Sequence, residues 1–328
     1  MSGAIPVVIL TGSLGAGKTT LLNRILSEAH GHRYAVMVNE FGEIGIDHDL
    51  IEAGDEELVE MSNGCLCCTV RGDLIRALYG LLGRADAFDT VLIETSGLAE
   101  PAPVLQSLLV DPYLRERTEI ASVITLADAA HVERRLADSV EAVEQIAFAD
   151  QILLNKTDLA DEQTLTRIEA RLRALNPLAR LQRSRHGDIP LDRLLSGGGF
   201  SLDRIVELEP DLLAGTLHRH DHHHHDHAID SVSLRAERPL DQARFTAWIE
   251  ALIAERGADI LRAKGILDIA GAESRLVVQA VHHQLEGDFQ RPWRPGEIRC
   301  SRLVLIGRHL DAAALRRGFA GCSSPSGV

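Results

Sequence analysis

The feature that most constrains this chain is the run Gly12-Ser13-Leu14-Gly15-Ala16-Gly17-Lys18-Thr19, which fits G-x-x-x-x-G-K-[ST] at every position. It follows an apolar run at residues 5–11, typical of a buried strand, and opens a helical pattern at 19–29. Such glycines let backbone N–H groups converge on phosphate oxygens, and the helix start adds positive partial charge. We therefore expect Lys18 to bridge the β- and γ-phosphates of a nucleotide and the Thr19 hydroxyl to bind Mg²⁺. The predicted nucleotide ligands in this run are Gly12, Gly15, Ala16, Gly17, Lys18, Thr19 and Thr20.

Apolar strand-like runs alternate with helical patterns through the first half of the chain, at 34–39, 90–95, 120–126 and 151–155 for strands and 69–84 and 161–175 for helices. Near-continuous apolar strands separated by helices indicate a parallel sheet covered on both faces. The fold class is therefore predicted as α/β, a P-loop NTPase domain with a mostly parallel sheet plus a smaller C-terminal α+β domain. The predicted boundaries are 1–195 for the first domain, 196–228 for a flexible Gly- and His-rich linker, 229–322 for the second domain and 323–328 for a tail.

Charge and composition exclude several classes of protein. The formal net charge is −14, which argues against a nucleic-acid binder and against docking on anionic lipid. No run approaches the roughly 18 apolar residues of a membrane span, and the N-terminus does not resemble a signal peptide. Because five Cys in 328 residues is too sparse for a disulfide scaffold, a reducing, cytoplasmic location is expected.

Two strand ends carry further nucleotide-binding candidates. Asn155-Lys156-Thr157-Asp158 follows an apolar strand, and a carboxylate there can accept two hydrogen bonds from guanine, which adenine cannot donate. Asn155, Lys156 and Asp158 are therefore predicted to select GTP, although Asp158 as a helix N-cap is an alternative. Glu94 closes another strand, where an acid holds Mg²⁺ or its waters, and Gly97 can sense the γ-phosphate. An acidic strand end without a ligand is the alternative for Glu94.

Three of the five Cys, Cys65, Cys67 and Cys68, fall within four residues in the pattern C-x-C-C. Three such thiolates can converge on a soft or borderline metal such as Zn²⁺, Cu⁺ or Co²⁺. A fourth ligand is expected from Glu40, a His, water or a partner. The alternative is that these cysteines are small buried hydrophobes.

The segment after the second strand carries acids in the position of a GTPase switch loop. Glu40 and Asp47 are candidates for positioning water, Mg²⁺ or a second metal, with solvated loop acids as the alternative. Together with Lys18 and Glu94, Asp47 is predicted to serve catalysis.

A histidine-rich segment interrupts the chain at 218–227, where seven of ten residues are His. Its lack of apolar periodicity predicts a loop rather than a core element. Neutral imidazoles at this density can collect metal ions at low affinity, and a plain polar linker is the alternative. The candidate ligands are His218, His220, His222, His223, His224, His225 and His227.

Taken in order, GSLGAGKTT, VNEFGEIGID, NGCLCC, ETSGLAEP and NKTD resemble the CobW-type metallochaperone GTPases, relatives of the nickel-insertion GTPases of hydrogenase and urease maturation. The resemblance continues through RAKGIL, QAVH, PW and SRLVLIGR, and so covers residues 6–322. It implies a GTPase that uses GTP and Mg²⁺ and binds Zn²⁺, or in some members Co²⁺ or another ion. Carried over by position, Cys65, Cys67 and Cys68 are metal ligands, and the metal passes to a client apo-metalloprotein in a GTP-dependent step.

Other functions remain open at this point. A metal buffer with a regulatory nucleotide site is one, and a maturation GTPase that delivers cobalt or iron to a single enzyme is another. The sequence names neither the client nor the oligomeric state, for which a homodimer is the hypothesis to test. No arginine finger in cis is evident.

Overall fold

A computed structural model of the protein describes residues 4–28, 32–39, 57–60, 69–84, 88–195 and 229–324. The chain divides into two compact units, Met1–Arg173 with Ala179–Phe200, and Ala174–Leu178 with Ser201–Val328. The predicted linker and the final tail residues 325–328 lie outside the described residues. Within the part that is described, no helix has the length and apolar character needed to cross a membrane.

The first unit is built on a seven-stranded sheet in the order β3-β2-β4-β1-β5-β6-β7, and every pair of neighbours is parallel. This confirms the predicted P-loop NTPase architecture. The strands are β1 (Ile5–Gly12), β2 (Tyr34–Asn39), β3 (Glu57–Glu60), β4 (Thr90–Thr95), β5 (Thr118–Asp128), β6 (Gln151–Asn155) and β7 (Arg180–Arg183). The helices are α1 (Lys18–Ser27), α2 (Thr69–Leu82), α3 (Ala102–Val110), α4 (Pro112–Arg117), α5 (Val132–Asp138), α6 (Val140–Ala147), α7 (Glu162–Leu175) and α8 (Leu191–Leu195).

The central strand β1 shows why the sheet forms. Val7, Val8, Ile9 and Leu10 are all no more than 1% exposed, so side chains on both faces of this strand are buried. Continuous apolar strands of this kind need cover on both faces, which a parallel sheet with crossover helices supplies. Because all strands run the same way, their carboxyl ends meet at one edge, and a ligand site in such a fold is expected there.

The second unit is an antiparallel sheet in the order β11-β10-β9-β12-β8. Its helices pack on one face through an aromatic cluster, in which the Phe319 ring lies 6.3 Å from Phe245 and 5.7 Å from Trp248. The predicted α+β character is confirmed. The elements are β8 (Ile229–Ala236), α9 (Gln242–Arg256), β9 (Ile260–Leu267), β10 (Ser274–Val281), β11 (Gln284–Pro292), β12 (Ser301–Arg308) and α10 (Ala312–Gly321).

Candidate nucleotide-binding site

The phosphate loop joins the carboxyl end of β1 to the start of α1. Gly17 adopts φ 105°, and a Cβ there would lie 2.6 Å from Asn155 Nδ2, so only glycine fits. Gly17 is also the N-cap of α1 and provides no side-chain hydrogen bond to the first turn of the helix. A helix start capped by glycine rather than by a polar side chain is the arrangement that the motif predicts for binding an anion.

Lys18 is buried in this loop, with 7% of its surface exposed. Its Nζ donates to the carbonyl oxygens of Gly12, at 2.9 Å, and Ser13, at 3.4 Å. The ammonium group is therefore held over the loop in which phosphate oxygens are expected. Ala16 is fully buried beside it, whereas Gly15 and Thr20 are exposed.

Thr19 and Glu94 meet where the Mg²⁺ ion of a nucleotide is expected. The Thr19 hydroxyl donates to Glu94 Oε1 at 3.2 Å, although the two residues are 75 positions apart in the chain. Glu94 ends the apolar run of β4 and is 4% exposed. A hydroxyl and a carboxylate are the hard oxygen donors that Mg²⁺ prefers, so these residues fit the ion. When bound, Mg²⁺ would neutralise charge on the phosphates.

The loop after β4 lies directly against the phosphate loop. A Cβ at Gly97 would stand 2.4 Å from the backbone nitrogen of Leu14, so the two backbones approach too closely for any side chain. Two residues before Gly97, the Thr95 hydroxyl donates to Thr11 Oγ1 at 2.8 Å and links the ends of β4 and β1. This close approach supports the predicted role of Gly97 near a γ-phosphate.

Asn155 joins the phosphate loop to the segment after β7. Its Nδ2 donates to the Ala16 carbonyl at 2.9 Å, while Oδ1 accepts from the Ser184 hydroxyl at 3.0 Å and the Gly187 amide at 3.2 Å. These bonds hold the phosphate loop and the segment after β7 in a fixed relation to each other. Asp158 lies in the 3-10 turn Thr157–Leu159 and is exposed, so its carboxylate is open to a base.

Lys156 is held by an acid that the sequence analysis did not identify. Its backbone takes the left-handed conformation, with φ 59°, and its Nζ donates to Asp128 Oδ2 at 2.8 Å. Asp128 also accepts from the Ala130 amide at 2.9 Å and lies 3.2 Å from His131 Nδ1. Burial raises the pKa of Asp128, but hydrogen bonds from Lys156, Ala130 and His131 outweigh burial and lower it. Glu94 was predicted because it is an acid near the end of a strand, and the same argument applies to Asp128. Asp128 ends β5 and lies opposite Asn155 of β6 in the sheet.

A cavity of about 210 Å³ lies beside the phosphate loop. Ser13, Leu14 and Gly15 form one wall, and Lys156 stands at another part of the lining. The remaining lining comes from the end of β5 and from α5 and α6, namely Thr125, Leu126, Ala127, Asp128, His131, Val132, Arg135, Leu136, Ala142, Gln145 and Ile146. Neither Lys18 nor Asp158 belongs to the lining, so the cavity adjoins the expected phosphate and base sites and does not coincide with them.

Several predicted site residues, among them all the predicted zinc ligands, lie outside the described ranges. Within the ranges that the structure describes, no group of three or more His, Cys, Asp or Glu side chains could hold a metal ion. The residues that lie outside the described ranges are Cys65, Cys67, Cys68, Glu40, Asp47, His218, His220, His222, His223, His224, His225 and His227.

Comparison with known proteins identifies the family. Residues 6–183 match the CobW/HypB/UreG nucleotide-binding domain, and residues 229–323 match the cobalamin synthesis protein cobW C-terminal domain. The chain belongs to the CobW/HypB/UreG family. It is a P-loop GTPase, as the loop at Gly12–Thr19 and the guanine motif at Asn155–Asp158 predict.

Family members resemble this chain along its whole length. The zinc chaperone YjiA of Escherichia coli is 36% identical over 322 residues, which cover 97% of this chain and 98% of YjiA. The zinc chaperone CobW of Pseudomonas aeruginosa is 38% identical, covering 95% of this chain and 89% of the relative. The crystal structure of Zn(II)-bound YjiA GTPase superposes with a TM-score of 0.74 at 31% identity, covering 98% of this chain and 100% of that one.

Proposed function

We propose that this GTPase is a metallochaperone that binds Zn²⁺ through the thiolates of Cys65, Cys67 and Cys68 and transfers it to a client apo-metalloprotein. Zinc is the cargo, and GTP hydrolysis drives its release. The observation that carries the proposal is the full-length similarity to two zinc chaperones, combined with three thiols in the pattern C-x-C-C. Thiolates are ligands that zinc prefers in closed protein sites.

The topology supports a coupling between the two sites. The chain leaves β3 at Glu60, on the carboxyl edge of the sheet, and α2 begins at Thr69, directly after Cys68. The thiol motif is thus part of a connection that starts at the edge where the phosphate loop lies. If γ-phosphate orders this connection, GTP strengthens zinc binding and hydrolysis weakens it. Zinc must then strengthen GTP binding by the same factor. Glu40 and Asp47 belong to the preceding connection, between β2 and β3, and are proposed to position water, Mg²⁺ or a second metal there.

Zinc affinity measured by competition with a chromogenic chelator tests this coupling. We expect the Kd for zinc to be lower with a non-hydrolysable GTP analogue than with GDP. Equal values for the two nucleotides would contradict the coupling. Cys67→Ala should weaken zinc binding strongly while leaving GTP binding in metal-free buffer intact. Cys300→Ala is the matched control, because Cys300 is a buried thiol of the second unit and lies outside the motif.

Delivery of zinc separates a chaperone from a metal buffer. The zinc-loaded protein is incubated with a zinc-dependent apoenzyme from the same cell, and recovery of activity is followed with GTP and with the non-hydrolysable analogue. A chaperone transfers zinc only when GTP can be hydrolysed. Transfer at equal rates with both nucleotides would favour the buffer. Capture of client proteins from zinc-starved cells, with GTP and zinc bound, identifies the apoenzyme to use.

A further inference from the structure

Gln145 on α6 is a buried glutamine whose backbone and side chain are both hydrogen-bonded. It is 1% exposed, and its backbone carbonyl accepts from the Thr125 hydroxyl of β5 at 2.7 Å. Its side-chain Nε2 donates to the carbonyl oxygens of Ala99, at 3.1 Å, and Gly97, at 3.4 Å. The sheet therefore fixes the backbone of Gln145, and its amide holds the loop after β4.

The same loop carries the groups that face the nucleotide. Glu94, one residue before the end of β4, accepts a hydrogen bond from Thr19, and Gly97 in the loop lies against the backbone of Leu14. The Ser96 carbonyl accepts from the Ala99 amide at 3.0 Å and closes a turn within the loop. Among hydrogen bonds between described residues, none uses the N–H of Gly97. A backbone N–H that is held in a fixed orientation beside the phosphate loop can donate a hydrogen bond to an oxygen of the γ-phosphate.

Moving this loop away from α6 carries a penalty. Gln145 is 1% exposed, so its amide would lose two hydrogen-bond acceptors in a largely buried position. The hydrogen bonds from Gln145 thus favour the loop position in which Gly97 touches the phosphate loop. GDP has no γ-phosphate to reach Gly97 and does not depend on that position.

We propose that Gln145 is a positioning residue for GTP hydrolysis, which holds the Gly97 N–H in place for the γ-phosphate. In this role the residue acts through its hydrogen bonds to the loop from Gly97 to Ala99. It should therefore distinguish GTP from GDP, whereas a residue that only stabilises the fold affects both nucleotides alike.

The variant Gln145→Met tests this role, because methionine fills a similar volume and cannot donate to the loop. Kd values of the full chain for GDP and for a non-hydrolysable GTP analogue are measured together with single-turnover GTP hydrolysis. We expect affinity for the analogue to fall about tenfold, which corresponds to the loss of one or two buried hydrogen bonds. The single-turnover rate should fall as well, and affinity for GDP should stay within about twofold.

Gln151→Met is the matched control. Gln151 is also 1% exposed and also donates to a backbone carbonyl, that of Leu194 at 2.9 Å, but it has no contact with the loop after β4. This variant should leave the ratio of the two affinities unchanged. The proposal is overturned if Gln145→Met lowers the affinities for GDP and for the analogue equally, or lowers neither. It is also overturned if Gln145→Met raises the affinity for the analogue, or if its ratio of the two affinities equals that of Gln151→Met.

Gln145→Glu gives a second readout that keeps the side-chain length. At neutral pH the ionised carboxyl can only accept, so it repels the two loop carbonyls and should reduce analogue affinity further. Burial raises the pKa of such a carboxyl, and its neutral form can donate one hydrogen bond. Analogue affinity relative to the unsubstituted protein should therefore recover in part as the pH is lowered from about 8 to 6. Analogue affinity at pH 8 equal to that of the unsubstituted protein would contradict the positioning role.

Discussion

Lys156 Nζ lies 2.8 Å from Asp128 Oδ2, so the lysine of the guanine motif is held by an acid at the end of the neighbouring strand. The Asp128 side chain is 9% exposed and that of Lys156 is 35% exposed, so the acid is largely buried while the lysine keeps partial contact with water. Lys156 is also one of the few residues other than glycine with positive φ in the described chain, so its position depends on contacts that hold it there. Asp128 supplies the charged contact.

Replacing Asp128 by Asn should lower the affinities for GDP and for GTP about tenfold, because the hydrogen bond from Lys156 then has an uncharged acceptor. The equal effect on both nucleotides follows from the guanine end of the site, which GDP and GTP share. Nucleotide titration monitored by a fluorescent GDP analogue measures the change. The control is Asp138→Asn, since Asp138 is 62% exposed and its pairing with Arg134 is a surface contact of little energy. Unchanged GDP affinity in Asp128→Asn would show that Lys156 needs no charged partner.

Replacing Gly97 by Ala should displace the phosphate loop, since the added Cβ would stand 2.4 Å from the Leu14 nitrogen. Backbone cannot move aside as a flexible side chain does, so we expect GTP affinity to fall by at least about tenfold. Gly80→Ala is the matched control, because no atom lies within 4 Å of a Cβ there and the residue is inside α2. That change should leave nucleotide affinity intact and raise the free energy of unfolding by up to about 1 kcal/mol. Equal GTP affinities in the two variants would contradict the close contact.

The apolar strands of the first unit were predictable because each is a short, nearly continuous apolar run bounded by a motif. β2, β4 and β6 were predicted with the bounds that the structure shows. β11 was not predicted, because this edge strand is mostly exposed and its sequence, QLEGDFQRP, lacks an apolar face. Helices α3 to α6 were also not predicted. Two of them, α4 and α6, begin at a side-chain cap, and at the start of α6 Ser139 Oγ accepts from the Ala142 amide.

At the site, the sequence predicted the residues that belong to local motifs or strand ends. It did not predict residues that reach the site only because distant parts of the chain pack together. Lys18 and Thr19 belong to a local motif, and Glu94 was recognised as an acid at a strand end. Gln145 has no such signature, since its contact with Gly97 spans 48 positions and depends on how α6 packs against β1. Asn155 was assigned to guanine by its motif, but its side-chain bonds link Ala16 to Ser184 and Gly187. A motif identifies the residue, whereas the folded neighbours decide what its atoms contact.

In the second unit, Glu297 should stabilise the fold in a pH-dependent way. Its carboxylate accepts two bonds at 2.9 Å from the Arg291 guanidinium, one at 3.2 Å from Arg275 and one at 2.8 Å from the Arg294 amide. Hydrogen bonds from Arg291 come first among the causes that lower the pKa of Glu297 from 4.5 to about 2, against a smaller opposing effect of burial. The folded value lies below the unfolded one, so this stabilisation is present above pH 4.5 and is lost as the pH falls toward about 2.

Glu297→Gln should therefore lower the free energy of unfolding by about 2 kcal/mol at pH 7, and the difference from the unsubstituted protein should shrink below about pH 4. Tryptophan fluorescence during urea unfolding reports on this unit, because both Trp residues of the chain, Trp248 and Trp293, belong to it. The control is Glu250→Gln on the exposed side of α9, with no expected change. A stability difference that stays constant from pH 7 to 3 would contradict the depressed pKa.

Deleting residues 218–227 should leave zinc binding at the proposed thiolate site intact and remove only weaker, additional zinc ions. Three convergent thiolates bind zinc far more tightly than single imidazoles, and the advantage of the imidazoles is their number within ten positions. Zinc titration followed by calorimetry measures the number of ions at each affinity. A variant with all seven His of this segment changed to Gln keeps the length of the chain and should behave like the deletion. If either variant lost stoichiometric tight binding, imidazoles would have to belong to the tight site. If neither lost the weak ions, the segment would be a polar linker with no role in collecting metal.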